Sequence, residues 1–501
     1  MIRLQDASFS YPFHSEPAVK GANLTVAPGE IVLLTGPSGC GKSTMVRMIN
    51  GLGLHHFRGN LSGQVTVGGR QVSELEAADI STLVGTLFQD PESQFFALDV
   101  CDEIAMGHEW RQTPPRETER RIQHVADEFG LNPILDRSIL TLSEGQKQKV
   151  ALASIMSLGP RALILDEPTA NLDPESTEAL AKTLSALKAK GVAILIVDHR
   201  LYWLRGLADK VAVMDKGQIV AQGPFELVDD ASLRRRYGLR KSHVVDPRPE
   251  LLPPELTNGH TISLCNLTYA HGRQEPIFSN VSMDLPMGQV IGLLGANGVG
   301  KTTLAMLLTG LNKAEKGYLV IDGQKRKPSE LLNRASVILQ NTDHQLHMKT
   351  VLDEIIASLP REKKPDQKRH ALTLLAKYNI AHLAQRHPQS LSGGEKQRLV
   401  IACGEAKDPD VLILDEPSSG LDGANMQLIA DCAREFAQRG ACVLLISHDL
   451  ELLGTACWCA LTLPLKTTTH KEFPHDNKTA AEYHPRKDSR KSQHHDRCPG
   501  S

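Results

Sequence analysis

One nine-residue pattern that occurs twice limits this chain more than any other feature. GPSGCGKST, Gly36 to Thr44, follows the apolar run Ile31-Val32-Leu33-Leu34. GANGVGKTT, Gly295 to Thr303, follows Val290-Ile291-Gly292-Leu293-Leu294, and a helix-like pattern succeeds each loop. Strand, glycine-rich loop and helix, in that order, make a cradle for a polyphosphate. The glycines let backbone N–H groups turn inward, the lysine adds a positive charge at the outer phosphates, and the hydroxyl after it can hold Mg²⁺. The helix that follows points its positive end at the same anion. The residues so placed are Gly36, Pro37, Ser38, Gly39, Cys40, Gly41, Lys42, Ser43 and Thr44, then Gly295, Ala296, Asn297, Gly298, Val299, Gly300, Lys301, Thr302 and Thr303.

The repeat is domain-sized. Lys301 lies 259 positions beyond Lys42, and Ser392, Asp415 and His448 each lie 249 beyond Ser143, Asp166 and His199. Most of the lost offset falls between the loop and a glutamine, at Gln89 in one copy and Gln340 in the other. There the first copy carries extra residues around GLGLHHFRGNLSG, whose composition predicts a surface loop. Strand and helix patterns alternate in both copies, which predicts an α/β fold with two tandem domains. Each has a mostly parallel sheet core, an antiparallel β subdomain and a helical subdomain. The expected divisions are domain one over 1–238, a Pro- and charge-rich linker over 239–259, domain two over 260–465, and a polar tail over 466–501. The second copy keeps a strand near Ala460 to Leu463 but lacks the strand–turn–strand VAVMDKGQIVAQG of the first. The His-containing tail reads as disordered, or less simply as metal-binding.

With 501 residues, 41% hydrophobic and 23% charged, the chain can bury more than one core. A formal net charge of −2 gives no electrostatic reason to expect a nucleic-acid partner. No apolar run approaches the ~20 residues that cross a bilayer. The N-terminus shows no signal-peptide pattern, so the nine cysteines read as cytosolic thiols.

ALILDEP and VLILDEP place Asp166 and Asp415 at the ends of buried strands, where adjacent acids need a metal or a proton. Asp166 and Asp415 fit a Mg²⁺ role. Glu167 and Glu416 are then placed to polarise an attacking water. Cys40, beside a helix N-terminus, is expected to have a lowered pKa and to react with thiol reagents, or else to be a small tolerated residue.

Over most of residues 1–463 the sequence resembles the ATP-binding cassette family. Tyr11 and Tyr269 match the aromatic that stacks on adenine, and Gln89 and Gln340 the glutamine that senses Mg²⁺ and the lytic water. LSEGQ (Leu142 to Gln146) and LSGGE (Leu391 to Glu395) match the signature motif. Asn171-Leu172-Asp173 and Gly420-Leu421-Asp422 match the D-loop, and His199 and His448 the switch histidine. The resemblance implies ATP and Mg²⁺ as ligands, with Ser43, Gln89, Asp166, Thr302, Gln340 and Asp415 toward the metal. It also implies an intramolecular cassette dimer with two composite sites. One pairs Lys42 with Ser392 and Gly394, the other Lys301 with Ser143 and Gly145. Glu144 and Glu395 depart from the family's glycine and glutamine, with Lys147, Lys149, Lys396 and Arg398 as nearby cations.

After the glutamines come Asp90-Pro91-Glu92-Ser93-Gln94-Phe95-Phe96 and Asn341-Thr342-Asp343-His344-Gln345-Leu346, then Asp102-Glu103-Ile104 and Asp353-Glu354-Ile355. These segments resemble energy-coupling-factor (ECF) transporter ATPases. That resemblance implies an importer of a vitamin, vitamin precursor or metal ion. Its partners would be a membrane T component and a substrate-binding S component, engaged from the cytoplasmic face of the cell membrane. Glu92 or Asp343 would meet a partner arginine, and Phe95 or Leu346 would add apolar contact. Other readings are a fused ATPase of a sugar or peptide importer, or a soluble cassette protein acting on ribosomes. The short, Pro-rich linker speaks against the last.

Overall fold

The computed structural model describes residues 1–13, 16–256, 260–272, 275–321, 323–339, 345–360 and 366–465. Gln340, Asp343 and the 466–501 tail lie outside the described residues, and so do the expectations placed on them.

The chain folds as the α/β repeat its pattern predicts. In the first half a parallel sheet runs Lys210–Asp215, Ile31–Thr35, Ala193–Val197, Ala162–Asp166, Val84–Leu87, with Gln218–Pro224 added antiparallel at one edge. Residues 31–34 and 193–197 are fully buried, as strands covered on both faces must be. The second half repeats the order with Ala335–Ile338, Val411–Asp415, Cys442–Ile446, Val290–Leu294 and Cys459–Thr462, all parallel. Each half adds a four-stranded antiparallel sheet, one through Ile2–Ser10 and the other through Thr261–Tyr269. Each half also packs two apolar clusters.

Among the described residues the second half has no counterpart of Gln218–Pro224. The linker takes up part of that edge: Leu252 pairs with Cys459, and Ala460 N–H donates to Leu252 O at 2.8 Å. The extra segment of the first copy is more ordered than its composition predicts. It forms a short helix, Leu52–His55, and enters the strand Asn60–Val67. Phe57 of that segment packs edge-on against Tyr11 at 5.6 Å and under Arg47 at 4.5 Å. An aromatic anchor outweighed the Gly and His content.

Candidate nucleotide sites

In each loop the main chain does what its glycines allow. Gly36, Gly39 and Gly41 have φ of +149°, +77° and +108°, and Gly295, Gly298 and Gly300 closely repeat them. At Gly36 a Cβ would lie 2.0 Å from Met214 O, so only glycine fits. Lys42 Nζ donates to Gly36 O (3.0 Å) and Pro37 O (2.9 Å). Lys301 does the same to Gly295 O (2.7 Å) and Ala296 O (3.1 Å). Both ammonium groups are thus held over the loop by carbonyl oxygens.

The acids sit where the strands end. Glu167 and Glu416 both have positive φ, +49° and +46°, an uncommon conformation for a side-chain-bearing residue and a form of strain found at functional sites. N–H bonds to Val197 O (2.7 Å) and Ile446 O (2.9 Å) fix those turns. Burial, then the charges of Asp166 and Asp198, push the Glu167 carboxyl up to about 8. Burial pushes Glu416 up to about 7, with Arg200 pulling the other way. His199 and His448 lie 3.7 and 3.8 Å from these carboxylates. Burial, and then Lys42 or Lys301, lowers both imidazoles, His448 to about 4. Both are neutral near pH 7, able to donate one hydrogen bond each.

The fit to a divalent cation rests on Asp166 and Asp415. Asp166 Oδ1 is buried without a partner, and burial raises its carboxyl although the charge of Lys42, and then the Ser43 hydrogen bond, pull the other way. Thr302 Oγ1 donates to Asp415 Oδ2 at 3.2 Å. A carboxylate beside the loop hydroxyl, with an orphaned oxygen, is a donor set suited to a hard cation.

The halves meet as expected at the first loop. One cavity of about 360 Å³ is lined by Lys42, Ser43, Gln89, Glu167 and His199 from the first half. Ser392, Gly394 and Gly420 of the second half complete its lining. Ser38 N–H donates across the interface to Asp422 Oδ2 at 2.8 Å. Gln89 Nε2 donates to Glu167 Oε2 at 2.8 Å. Ser143, Gly145, Asp173 and Glu175 line a separate cavity between two helices of the first half, and the charge of Asp173 reaches Lys301 of the second loop. His448 Nε2 meets Asn297 Oδ1 at 2.9 Å. Tyr11 hydroxyl lies 3.2 Å from Thr44 Oγ1 and accepts from Arg47 (2.8 Å). Tyr269 meets His271, which lies 3.4 Å from Thr303 Oγ1.

Several expectations change. Cys40 is buried, and burial raises its thiol pKa although Lys42 opposes the shift, so the helix terminus does not make it reactive. Glu92 is already ion-paired to Lys147, which also holds Glu144 at 3.0 Å, so Glu144 turns away from the nucleotide cavity. At Gly393, the counterpart of Glu144, a Cβ would meet nothing within 4 Å, which explains how a larger residue fits. Leu346 is mostly buried, yet with Gln345 and Glu354 it lines a cavity of about 1180 Å³ in the second half, as its counterpart Phe95 lines one in the first.

Some residues carry more than sequence reasoning assigned them. Glu103 accepts N–H bonds from Phe96 and Ala97, both 2.9 Å, and Glu354 accepts those of His347 and Met348. Gln94 and Gln345 each bridge the preceding strand through Phe88 N–H and Leu339 N–H, both 2.9 Å. The repeated Asp-Glu-Ile and second glutamine therefore shape the loop after Gln89. Their recurrence in both copies was the available signal.

The model of the ABC transporter family matches residues 19–170 and 278–419. A Treponema denticola protein named "Putative ABC transporter ATP-binding protein" is 34% identical over 468 residues, 92% of this chain and 95% of that one. The Bacillus subtilis "Putative HMP/thiamine import ATP-binding protein YkoD" is 33% identical, covering 92% of this chain and 90% of its own. In a solved complex of archaeal ribosomal stalk protein aP1 with recycling factor aABCE1, one chain superposes with a TM-score of 0.60. It is 22% identical, the match covers 91% of this chain and 87% of that one, and it shows the fold alone. Two phosphate loops, two strand-end acid pairs and two family matches on one chain have a single reading: it belongs to the ABC transporter family, as an ATP-hydrolysing protein with two ATP-binding cassettes in tandem.

Proposed function

We propose that this chain is the ATPase subunit of an ECF-type importer for a vitamin, vitamin precursor or metal ion. It would work at the cytoplasmic face of the membrane with a T and an S component. The observation that carries the reading is the groove beside Gln89. Phe96 (69% exposed) and Trp110 (66% exposed) stand edge-to-face, 5.2 Å apart, at a cavity of about 530 Å³ that Phe95, Met106 and Leu158 also line. Two large exposed aromatics at a groove tied by Glu103 to the nucleotide-sensing loop suit an amphipathic helix from a membrane partner. The name of the Bacillus subtilis relative supports vitamin-precursor import. No helix among the described residues is long and apolar enough to cross a membrane, so the passage itself would belong to the partners.

In this reading the loop N–H groups and Lys42 or Lys301 hold the triphosphate. Ser43, Gln89 and Asp166, and Thr302, Gln340 and Asp415, would hold Mg²⁺, which supplies charge neutralisation on the phosphates. Glu167 and Glu416 accept the proton of the attacking water, and neutral His199 and His448 donate to the terminal phosphate. Each signature serine, Ser143 or Ser392, with Gly145 or Gly394, closes the opposite site. Domain divisions near 238 and 260 follow from the same reading.

The test is affinity purification of the chain from solubilised membranes of its source. A polytopic T component is expected to co-purify, and Phe96→Glu with Trp110→Glu to release it without loss of ATP binding. Recovery with ribosomes at moderate salt, and no membrane partner, would overturn the proposal.

A further inference from the structure

The residue after each switch histidine differs between the halves: Arg200 follows His199, and Asp449 follows His448. These are equivalent positions, 249 apart, and the fold brings them together across the interface between the cassettes. Arg200 Nε lies 4.0 Å from Asp449 Oδ2. Arg240 of the linker reaches the same carboxylate with one nitrogen and Glu451 Oε2 with another at 2.8 Å. All four side chains are buried, Asp449 and Arg240 almost completely. Burial alone would raise the Asp449 pKa, but the two arginines outweigh it and hold the carboxyl well below the usual carboxylate range.

Each arginine also bonds a D-loop or the residues before it. Arg200 donates to Thr169 O (2.8 Å) and Ala170 O (3.5 Å), the two residues that lead into the D-loop Asn171–Asp173. Arg240 donates to Leu421 O (3.3 Å), in the D-loop that lines the first site. Asp449 also accepts from Ser418 Oγ at 2.7 Å and caps the helix Leu450–Ala456. The segments leading into the two D-loops touch directly as well: Ser419 Oγ donates to Ala170 O at 3.3 Å and lies 3.2 Å from Asn171 Oδ1. One buried ionic cluster therefore joins both switch loops and both D-loop segments.

We propose that Arg200, Asp449 and Arg240 are positioning residues that couple the two ATP sites. They are also specific to the mixed pair. Two copies of the first cassette would set arginine against arginine, and two copies of the second would set aspartate against aspartate, each an unpaired buried charge. A shift of either switch loop on nucleotide binding must move the shared cluster, and with it the D-loop that closes the other site. The charges also reach the chemistry: Arg200 pulls down the carboxyl pKa of both Glu167 and Glu416.

The experiment uses the full chain, with MgATP hydrolysis measured against ATP concentration and nucleotide affinity measured by a fluorescent ATP analogue. The wild type is expected to show a Hill coefficient above 1. Arg200→Met and Asp449→Asn are each expected to bring it to about 1 and to lower turnover about 10-fold, with analogue affinity within about 2-fold. Arg200→Asp combined with Asp449→Arg restores the opposite charges and is expected to recover cooperativity that either reversal alone destroys. Arg200→Lys, which keeps the charge, guards against misfolding and is expected to retain partial cooperativity. A wild-type coefficient of 1 would overturn the proposal. So would folded Arg200→Met with unchanged cooperativity, or loss of turnover only in step with a lowered melting temperature.

Discussion

The two ATP sites are written with nearly the same residues, yet the structure finishes them differently. At the first, Asp422 reaches across to Ser38 N–H, and Gly420 presses its backbone against Glu167 and Gln89. Asp173 and Asp422 both cap their own helices, accepting Ser176 N–H at 2.7 Å and Asn425 N–H at 2.8 Å, so the difference lies in the second oxygen of Asp422, and Asn171 stands where the first site has Gly420. The signature serines differ too. Ser143 accepts from Gln146 N–H, leaving its own hydroxyl proton to donate, whereas Ser392 Oγ donates to Glu395 Oε2 at 2.8 Å. A capping residue changed from amide to acid thus takes up the proton that the family logic reserves for the γ-phosphate. Identical motif lists do not make equivalent sites, because each site is built by loops from both halves.

The largest effect is expected where the two sites agree. Glu167→Gln with Glu416→Gln removes both proton acceptors, and turnover is expected to fall by at least about 10²-fold. ATP should still bind and hold the cassettes closed, as measured by trapped nucleotide after gel filtration. Glu167→Gln alone and Glu416→Gln alone then rank the sites. Equal losses would break the asymmetry drawn above, and normal turnover in the double variant would remove the proton-acceptor role.

Next comes Gly420→Ala. Its φ is +67°, and an added Cβ would lie 2.7 Å from Glu167 Oε2 and 2.8 Å from Gln89 Nε2. Left-handed strain of roughly 1–2 kcal/mol combines with displacement of the proton acceptor. A loss of about 10-fold or more in turnover is expected. Asn171→Gly, the reciprocal change at the second site, is expected to alter turnover by less than about 3-fold. Reversed sizes would show that the second site, not the first, depends on the close D-loop.

Much of this was legible from residues alone. Two loops, two strand-end acid pairs and the fixed 249-residue offset specified the α/β repeat, and the family resemblance supplied the pairing of Lys42 with Ser392. Local motifs could not show which contacts close. Asp422 and Asp173 are the same residue type at matched places, and only the packing of the two halves decides that one bonds a phosphate loop. Arg240 was read as linker because Pro and charge surround it, yet it is buried between cassettes, where three acceptors take its donors. The helix Pro174–Ala189 starts where Asp173 caps it and proline fits the first turn. Charge pairing at a distance, as between Glu92 and Lys147, leaves no periodic trace in sequence.

Glu395→Gln sharpens the comparison at the signature motif. The change removes a negative charge from the segment that caps the first site and frees the Ser392 hydroxyl proton. ATP affinity at the first site is expected to rise by about 3- to 10-fold, from one added hydrogen bond and less repulsion. Equilibrium binding in a Glu167→Gln, Glu416→Gln background measures it, and Gln146→Glu should weaken the second site by a similar factor. An unchanged affinity would mean that Glu395 swings clear when nucleotide binds.

A smaller effect is expected in stability. In the nucleotide-free fold burial raises the Glu167 and Glu416 carboxyls to about 8 and about 7 against an ordinary 4.5, so the proton-accepting carboxylates form as pH rises toward those values. A raised carboxyl pKa contributes stability that is complete below about 4.5 and is lost as pH rises through 7 to 8. The nucleotide-free chain should therefore lose a few degrees of melting temperature between pH 5 and pH 8.5. Glu167→Gln should remove the part lost at the higher pH, and Glu416→Gln the part lost near 7.

The smallest effect is expected at Cys40, whose counterpart in the second loop is Val299. If the thiol mattered chemically, the first site would be redox-sensitive and the second would not. The geometry says otherwise. Cys40 is 5% exposed, a Cβ on Gly36 would sit 3.1 Å from its sulfur, and burial drives its pKa upward. The thiolate is therefore scarce at neutral pH and shielded from reagents, so the side chain fills space as valine does in the sister loop. Cys40→Val should leave turnover and ATP affinity within about 2-fold, because volume is nearly conserved and only the long Lys42 Nζ to Cys40 Sγ contact of 3.9 Å is lost while Lys42 keeps its two carbonyl acceptors. A thiol reagent at pH 7 should modify Cys40 only on the timescale of unfolding. Rapid, ATP-protected inhibition abolished by Cys40→Val would show that the loop opens far enough to expose its core side, and the two phosphate loops would then differ in motion as well as in their caps.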